Sequence, residues 1–386
     1  MGCMREVIYF DNNATTQPLP EVVEAVGTMV RDEYANPSSV HQFGQAARHR
    51  VECAREQVAS LIGASAKEII FTSGGTESIN LAIRGALGIH PDRRHIVTTA
   101  VEHSATLRVM ERLEDEGFRV DYVGVDHAGR LDENEWTEKL TDDTAVASLM
   151  HANNETGVVF DVRRAATIAA DRGAAVHVDA IQSAAKLPID ISSWPVQLLS
   201  LSAHKFHGPK GVGALYVRRR TRIEPLIVGG GQERQLRGGT ENVPGIVGMG
   251  VAAEIARTDR EAVSHRVGAL RDALEAGLLA AMPSARVNGR GAPRVSNTTN
   301  IGFEGLEAEA VLIVLSEAGI CASSGSACSS GSLEPSHVLK AMGIEERVAH
   351  GAIRFSLSRF STPAEVERAV AEIPRLLARL TALQSP

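Results

Sequence analysis

Short runs of apolar, mainly β-branched residues alternate with segments of helical periodicity along the first part of the chain. The predicted strands are Glu68–Thr72, His95–Ala100, Arg119–Val123, Thr144–Met150, Ala175–Asp179, Leu198–Ser202 and Gly213–Val217. The predicted helices between them include Glu77–Leu87, Ser104–Glu114 and Val162–Arg172. This alternation indicates an α/β fold, with a largely parallel sheet covered by helices on both faces. Ligands of such sheets bind beyond the carboxyl ends of the strands.

The pattern changes after about residue 258. The predicted elements there are a long amphipathic helix (Arg260–Met282), a strand (Thr298–Phe303), a helix (Glu307–Ala318), a short helix from Pro335, a strand near Ile353–Ser358 and a C-terminal helix from Pro363. We therefore predict a large domain of residues 15–258 and a smaller α+β domain of residues 1–14 and 259–386. The smaller domain contains a Ser- and Gly-rich loop, residues 323–332.

The composition is typical of a globular protein, with 44% hydrophobic and 23% charged residues. A net charge of −7 argues against direct nucleic-acid binding, because phosphate contacts need a basic surplus. The four cysteines have neither CxxC nor disulfide-framework spacing, and we predict no metal site. No apolar run is long enough to span a membrane, and no secretory signal is evident. We expect a cytoplasmic protein with reduced thiols and no membrane partner.

Two polar residues follow neighbouring predicted strands. Lys205 comes directly after Leu198–Ser202 and before a Gly-rich turn, where a lysine can form a Schiff base with pyridoxal 5'-phosphate (PLP). Asp179 ends the preceding strand, where it could pair with the pyridinium nitrogen of PLP or merely cap the next helix. Alone, Lys205 could also be an ordinary loop lysine. A match to the S-x-x-K motif of β-lactamases is discounted, because that motif should open a helix and its companion motifs are missing.

Further candidates lie near these strand ends. Gln182, one turn after Asp179, could reach the phenolic oxygen of the ring. The strand-to-helix junction Thr72–Glu77 contains two glycines and could bind an anion at the helix N-terminus, or be a plain capped turn. His103 opens a helix and could stack on a cofactor and move protons, although such a histidine is often structural. Cys328 lies in a polar stretch without a hydrophobic anchor, so it is either an accessible nucleophile or an incidental surface thiol.

Together these motifs resemble the cysteine desulfurases of the NifS/IscS type, in the class V aminotransferase group of fold-type I PLP enzymes. The matching motifs, in chain order, include Tyr9–Thr16, Asn36–Ser39, Phe71–Glu77, Val101–His103, His151–Glu155, His177–Asp179, His204-Lys205, Arg237–Thr240, Ser324–Cys328 and Ile353–Leu357. The Ser-Gly-Ser-Ala-Cys motif is similar to that of group I desulfurases. The resemblance implies a mostly parallel seven-stranded sheet flanked by helices in the large domain, with a smaller α+β domain.

The resemblance also implies roles for residues at matching positions. Lys205 would be the Schiff-base lysine and Asp179 the pyridinium partner. The remaining cofactor ligands would be His103 and Gln182 on the ring, and Gly75, Thr76, Ser202 and His204 on the phosphate. Thr240 would reach the phosphate of the partner subunit, which implies a homodimer. Asn154 and Arg354 would bind the substrate carboxylate, Arg354 as a planar fork, whereas Arg359 matches the family pattern less directly.

The implied reaction converts L-cysteine to alanine. The Lys205 amine would remove the α-proton, His103 would donate or accept protons, and the Cys328 thiolate would attack the substrate sulfur to form a persulfide. The persulfide would go to a protein sulfur acceptor or iron–sulfur scaffold, for iron–sulfur assembly or for tRNA or DNA thiolation. Housekeeping desulfurases of the family dock their iron–sulfur scaffold with a longer C-terminal extension, and we do not expect that mode of docking here, because the sequence reaches Pro386 soon after the last predicted helix.

Two alternatives make different predictions. A selenocysteine lyase or related aminotransferase would share Lys205 and Asp179 with a desulfurase but would not depend on Cys328. A non-catalytic sulfur carrier or scaffold protein would be colourless after purification, whereas a PLP Schiff base absorbs visible light.

Overall fold

A computed structural model describes residues 7–324 and 334–384. Cys328 and most of the predicted loop 323–332 lie outside the described residues. In the described parts of the chain, no helix is both long and apolar enough to cross a lipid bilayer.

The strands of the described chain form a large central sheet and two small ones. The strands are β1 (Ile8–Tyr9), β2 (Ile69–Thr72), β3 (His95–Thr99), β4 (Arg119–Val123), β5 (Thr144–Met150), β6 (Ala175–Asp179), β7 (Leu198–Ser202), β8 (Gly213–Val217), β9 (Arg286–Asn288), β10 (Thr298–Gly302), β11 (Ile320–Cys321) and β12 (Ala352–Ser356). The central sheet has seven strands in the order β2-β8-β7-β6-β5-β3-β4. Only β8 is antiparallel to its neighbours within it, so the prediction of a mostly parallel seven-stranded sheet is confirmed.

Helices cover both faces of this sheet. They are α1 (Pro20–Arg31), α2 (Gln42–Leu61), α3 (Gly75–Leu87), α4 (Ser104–Asp115), α5 (Glu133–Lys139), α6 (Val162–Asp171), α7 (Val243–Ala281), α8 (Ala308–Glu317), α9 (His337–Ala341), α10 (Glu346–Ala349) and α11 (Pro363–Gln384). Ile70 and Leu198 belong to an apolar cluster with α3 and α4, whereas the adjacent Ile69 and Leu199 belong to a cluster with α2 and α7. Burial on both faces explains why these strands are continuous apolar runs.

Helix α7 begins well before the predicted start at Arg260. It contains 39 residues and starts at Val243, after the N-cap Asn242. Glycines near its start conceal the helical pattern, and Gly250 has a packing reason: a Cβ there would lie 2.6 Å from the Ala54 Cα on α2. The predicted domain boundary at residue 258 therefore falls inside α7, and the division into two domains stays a prediction.

The C-terminal part of the chain has an apolar cluster of its own. It contains Ile301 of β10, Phe355 of β12, Leu315 of α8 and Leu377 of α11. Phe10, from the segment after β1, belongs to the same cluster. The chain after Phe10 then continues to the carboxyl edge of the central sheet, where Thr16 N–H donates to the carbonyl oxygen of His204 at 2.9 Å.

Candidate active site

A cavity of about 230 Å³ opens at the carboxyl edge of the central sheet. Its lining residues come from the ends of β5, β6 and β7 and from the N-termini of α3 and α4: Gly75, Thr76, Ile79, His103, Ala105, Met150, Ala152, Asn154, Asp179, Ile181, Gln182, Ser202, His204 and Lys205. The cavity thus brings together every predicted cofactor ligand except Thr240, and it adds Asn154.

Lys205 lies at the end of a short 3-10 turn, Ala203–Lys205, which follows β7 directly. Its Nζ donates to the carbonyl oxygens of Asn13 at 2.6 Å and Ala14 at 2.9 Å. These carbonyls come from the segment after β1, nearly two hundred residues earlier in the chain. The amine is therefore oriented by backbone groups at the margin of the cavity.

Asp179 is the last residue of β6 and is buried. Its Oδ1 accepts the N–H of Ile181 at 2.9 Å. Burial raises the pKa of the carboxyl from its usual 3.8 to about 6, although the Ile181 N–H and the Lys205 charge act in the opposite direction. The side chain holds a turn and does not cap a helix, because residues 180–190 form none, and it lines the cavity as predicted for a cofactor ligand.

His103 is the N-cap of α4, and its Nδ1 accepts the N–H of Ala105 at 3.1 Å. An accepting Nδ1 leaves the proton of a neutral ring on Nε2. Burial, followed by the positive charges of Lys205, His337 and Arg354, lowers the pKa of His103 to about 4. The ring is therefore neutral at pH 7 and has a donor at Nε2.

The N-terminus of α3 borders the cavity opposite the end of β7. Gly75 is the first residue of this helix, and a Cβ there would lie 2.3 Å from Ile181 Cδ1. The glycine therefore keeps the free N–H groups of the first helical turn close to Ser202 and His204. The helix macrodipole and these N–H groups favour an anion at this position.

Arg354 lies on β12, outside the residues that line the cavity, and is buried. Its Nη1 donates to the carbonyl oxygen of Asn154 at 3.2 Å, and its Nη2 donates to Asp11 Oδ1 at 2.8 Å. Its Nε is buried and has no hydrogen-bond partner among the described residues. The Nε–H of the guanidinium thus has no acceptor, although the guanidinium contacts the cavity residue Asn154. Arg359 instead pairs with Asp259, beside a separate cavity of about 60 Å³.

Thr240 lies away from the cavity. It is exposed and lines another depression, of about 120 Å³, together with Arg237 and Glu241. Cys328 lies outside the described residues. Among the residues that the structure describes, no group of three or more His, Cys, Asp or Glu side chains could hold a metal ion.

Comparison with known proteins decides the family. The model of the Aminotransferase class-V family matches residues 8–369. A cysteine desulfurase of Trichormus azollae is 52% identical over 377 residues, which cover 98% of this chain and 94% of that protein. The chain belongs to the cysteine desulfurases of the class V aminotransferase family.

Other relatives agree with this assignment. The cysteine desulfurase NifS of Azotobacter vinelandii is 49% identical over 374 residues, covering 97% of this chain and 93% of that protein. The solved structure of a NifS-like protein has a TM-score of 0.90 and 39% identity, and covers 97% of this chain and 100% of that one. The predicted fold-type I architecture, the cysteine desulfurase family and its dependence on PLP are confirmed.

The cavity of this desulfurase suits PLP. Asp179 would offer a carboxylate to the pyridine nitrogen, Lys205 would offer an amine to the aldehyde, and the α3 N-terminus would accommodate the phosphate. Each feature arises from the fold: two strand ends and one helix start face the same space.

Two polar residues that hold cavity residues of the desulfurase were not predicted from the sequence. The carbonyl oxygen of Asn13 accepts from Lys205 and, at 3.0 Å, from Gln182 Nε2. Lys186 Nζ donates to Gln182 Oε1 at 2.9 Å and to Asn13 Oδ1 at 3.1 Å. Asn13 belongs to a motif that matched the family, and Lys186 follows Gln182 at one-turn spacing, but neither pattern specifies a partner.

Proposed function

We propose that this desulfurase converts L-cysteine to L-alanine and leaves the sulfur as a persulfide on Cys328. One observation carries the proposal: an amine, a carboxylate and a neutral imidazole (Lys205, Asp179 and His103) line one cavity at the carboxyl edge of the sheet. The reaction balances without an external oxidant. The Cβ–S bond of cysteine breaks, a bond forms between that sulfur and the Cys328 sulfur, and the carbon takes up a proton.

Some residues of the site would hold the cofactor, and others would take part in the reaction. When bound, PLP supplies an electron sink that makes the Cα proton of the substrate removable. Asp179 would keep the pyridine nitrogen protonated, Gln182 would donate to the phenolic oxygen, and His103 would lie against the ring. Gly75, Thr76, Ser202 and His204 would hold the phosphate.

Protons are moved by two side chains. Lys205 would take the Cα proton on Nζ, and the carbonyl oxygens of Asn13 and Ala14 support this role because they fix the direction of the amine. His103 would donate a hydrogen bond from Nε2, since its pKa of about 4 keeps the resting ring neutral at working pH, and it would pass on a proton only after taking one up.

The substrate carboxylate would bind near Asn154 and Arg354. The unpartnered Nε of Arg354 supports this assignment, because a buried guanidinium donor without a partner is costly unless a ligand satisfies it. Asp11 and the Asn154 carbonyl hold the other end of the guanidinium. With the carboxylate fixed, the Cα–H bond would face Lys205.

A homodimer is part of the proposal. Thr240 is exposed in a single chain, and so are the large apolar side chains of Val40, Phe43 and Val228, at 94%, 60% and 83% exposure. An apolar patch that is exposed in one chain marks an interaction surface when its members are contiguous, and we propose a second copy of the chain as the partner here. In such a dimer, Thr240 of each copy would reach the phosphate in the cavity of the other copy, as the family resemblance implies.

The persulfide would pass to a protein sulfur acceptor or an iron–sulfur scaffold in the cytoplasm. The named NifS relative favours iron–sulfur cluster assembly as the destination, with tRNA or DNA thiolation as the other outlets. A cytoplasmic location fits because a reducing compartment keeps the accepting thiol of Cys328 free.

The test compares alanine and sulfide formation, with absorption spectra, for the wild type, Cys328→Ser and Lys205→Ala. We expect Cys328→Ser to retain the yellow chromophore and to lose sulfide release, and Lys205→Ala to lose both. Cys321→Ser is the matched control, because Cys321 is a free thiol on β11 of the same chain. Activity that survives in Cys328→Ser would indicate a lyase or aminotransferase, and a colourless wild type a sulfur carrier.

A further inference from the structure

A second lysine, Lys186, lies behind the cavity wall. It borders the 60 Å³ cavity, which Lys205 also lines, and it does not line the main cavity. The proposed mechanism does not use it. Its only side-chain hydrogen bonds among the described residues go to two amide oxygens, Gln182 Oε1 and Asn13 Oδ1.

These contacts fix which way the amide of Gln182 points. Its Oε1 faces Lys186 Nζ, which as an ammonium group can only donate, and its Nε2 faces the Asn13 carbonyl, which can only accept. Turning the amide over would set N–H groups against the amine and an oxygen against the carbonyl. The penalty for such buried mismatches selects one orientation.

The selected orientation has a consequence for the cavity. Gln182 lines the cavity, and one hydrogen of its Nε2 is used by Asn13. The other hydrogen remains for a ligand. A Gln182 turned the other way would offer an acceptor where a phenolate oxygen needs a donor.

We propose that Lys186 is a positioning residue that sets the Gln182 amide to donate to the phenolic oxygen of PLP. This inference rests on the proposed role of Gln182 in the cofactor site. Burial and the charges of Lys205 and Arg354 lower the pKa of Lys186 to about 7. The ammonium form can only donate and so fixes the amide, whereas the uncharged amine still donates to Oε1 but fixes it less strictly.

The test is a double-mutant cycle on PLP affinity, measured by titrating the apoprotein with PLP and following its visible absorption. We expect Lys186→Met and Gln182→Leu each to weaken PLP binding about tenfold. In the Gln182→Leu background, Lys186→Met should weaken binding less than about twofold, because the group it positions is already gone. Desulfuration activity does not enter this measurement.

Two other outcomes would overturn the inference, and the measurement distinguishes them. Equal weakening by Lys186→Met in both backgrounds would show that Lys186 acts by charge or packing. No weakening by Gln182→Leu would show that the proposed cofactor role of Gln182 fails first. Lys67→Met, at an exposed lysine, is the control for the general effect of losing a charge. If Lys186→Met does not fold, as judged by thermal unfolding of the apoprotein, Lys186→Leu, which also has no donor, replaces it in the cycle and should weaken binding only where Gln182 is present.

Discussion

Among single residues, Asp179 is expected to lower the free energy of unfolding of the apoprotein at neutral pH while it serves the cofactor. Because burial raises its pKa above the unfolded value, the folded state resists ionisation and loses stability as pH rises from about 4 to about 6. Asp179→Asn removes that penalty and keeps an oxygen for the Ile181 N–H. The apoprotein of the variant should be more stable by roughly 3 kcal/mol at pH 7, with the difference vanishing near pH 4. Urea unfolding at both pH values measures this.

The same variant should lose cofactor chemistry. Desulfuration should fall at least about a hundredfold, because the neutral amide does not keep the pyridine nitrogen protonated. A variant that is less stable than the wild type at pH 7, or one that keeps its full rate, would contradict the assignment of Asp179.

A second prediction concerns the guanidinium of Arg354. Lysine is a point charge and lacks the planar fork, so Arg354→Lys should not contact Asp11, Asn154 and a substrate carboxylate together. We expect kcat/KM for cysteine to fall about thirtyfold or more, mainly through KM, while the PLP spectrum is unchanged. Arg359→Lys is the control, since Arg359 pairs with Asp259 elsewhere. If Arg359→Lys lowers kcat/KM and Arg354→Lys does not, then Arg359 binds the substrate carboxylate and Arg354 does not.

The sequence predicted those candidate site residues whose position follows from the local secondary structure. Lys205, Asp179 and His103 each stand at the end of a strand or the start of a helix, and the sheet brings such positions together. Asn13 and Lys186 act through contacts between segments 173 residues apart, and no local pattern records such a contact. The family match included the motif of Asn13 without indicating what it holds.

Among the strands and helices, those with a clear burial pattern were predicted from the sequence, and those without one were missed. Most strands of the central sheet were predicted almost to the residue because they are apolar and buried on both faces, whereas β4, at the sheet edge, is partly exposed. β1, β9 and β11 are only two or three residues long and carry too little pattern. α2 was also missed: charged and polar residues dominate its sequence, and its buried face consists mainly of small residues.

Two glycines of α7 test the packing of its first part. A Cβ at Gly250 would lie 2.5 Å from Gln57 Oε1 and 2.6 Å from the Ala54 Cα, whereas at Gly268 the nearest atom would be 3.7 Å away. We expect Gly250→Ala to lower the free energy of unfolding by about 1–3 kcal/mol. Gly268→Ala should raise it by about 0.5–1 kcal/mol, since alanine is the better helix former. Urea unfolding of both variants distinguishes packing from helix propensity, and equal effects would contradict close α2–α7 contact.

At the scale of the whole molecule, the site draws on distant parts of one chain. The segment after β1 supplies the carbonyls for Lys205, the central sheet supplies Asp179 and Lys205, and β12 supplies Arg354. Thr240 stands apart from all of them, on the exposed side of the chain. The proposed dimer gives it a function only if it acts in the site of the other subunit.

Mixing two defective variants tests this arrangement. Lys205→Ala should be inactive, and Thr240→Ala should bind PLP several-fold more weakly, because one hydrogen bond to an anion is lost. In a mixed dimer whose residues act across the interface, one site combines the intact Lys205 of one subunit with the intact Thr240 of the other. Activity at limiting PLP should then rise above that of either parent after the subunits are exchanged. If Thr240 acts within its own chain, every site keeps a defect and mixing restores nothing, so the measurement decides whether the site belongs to one chain or to two.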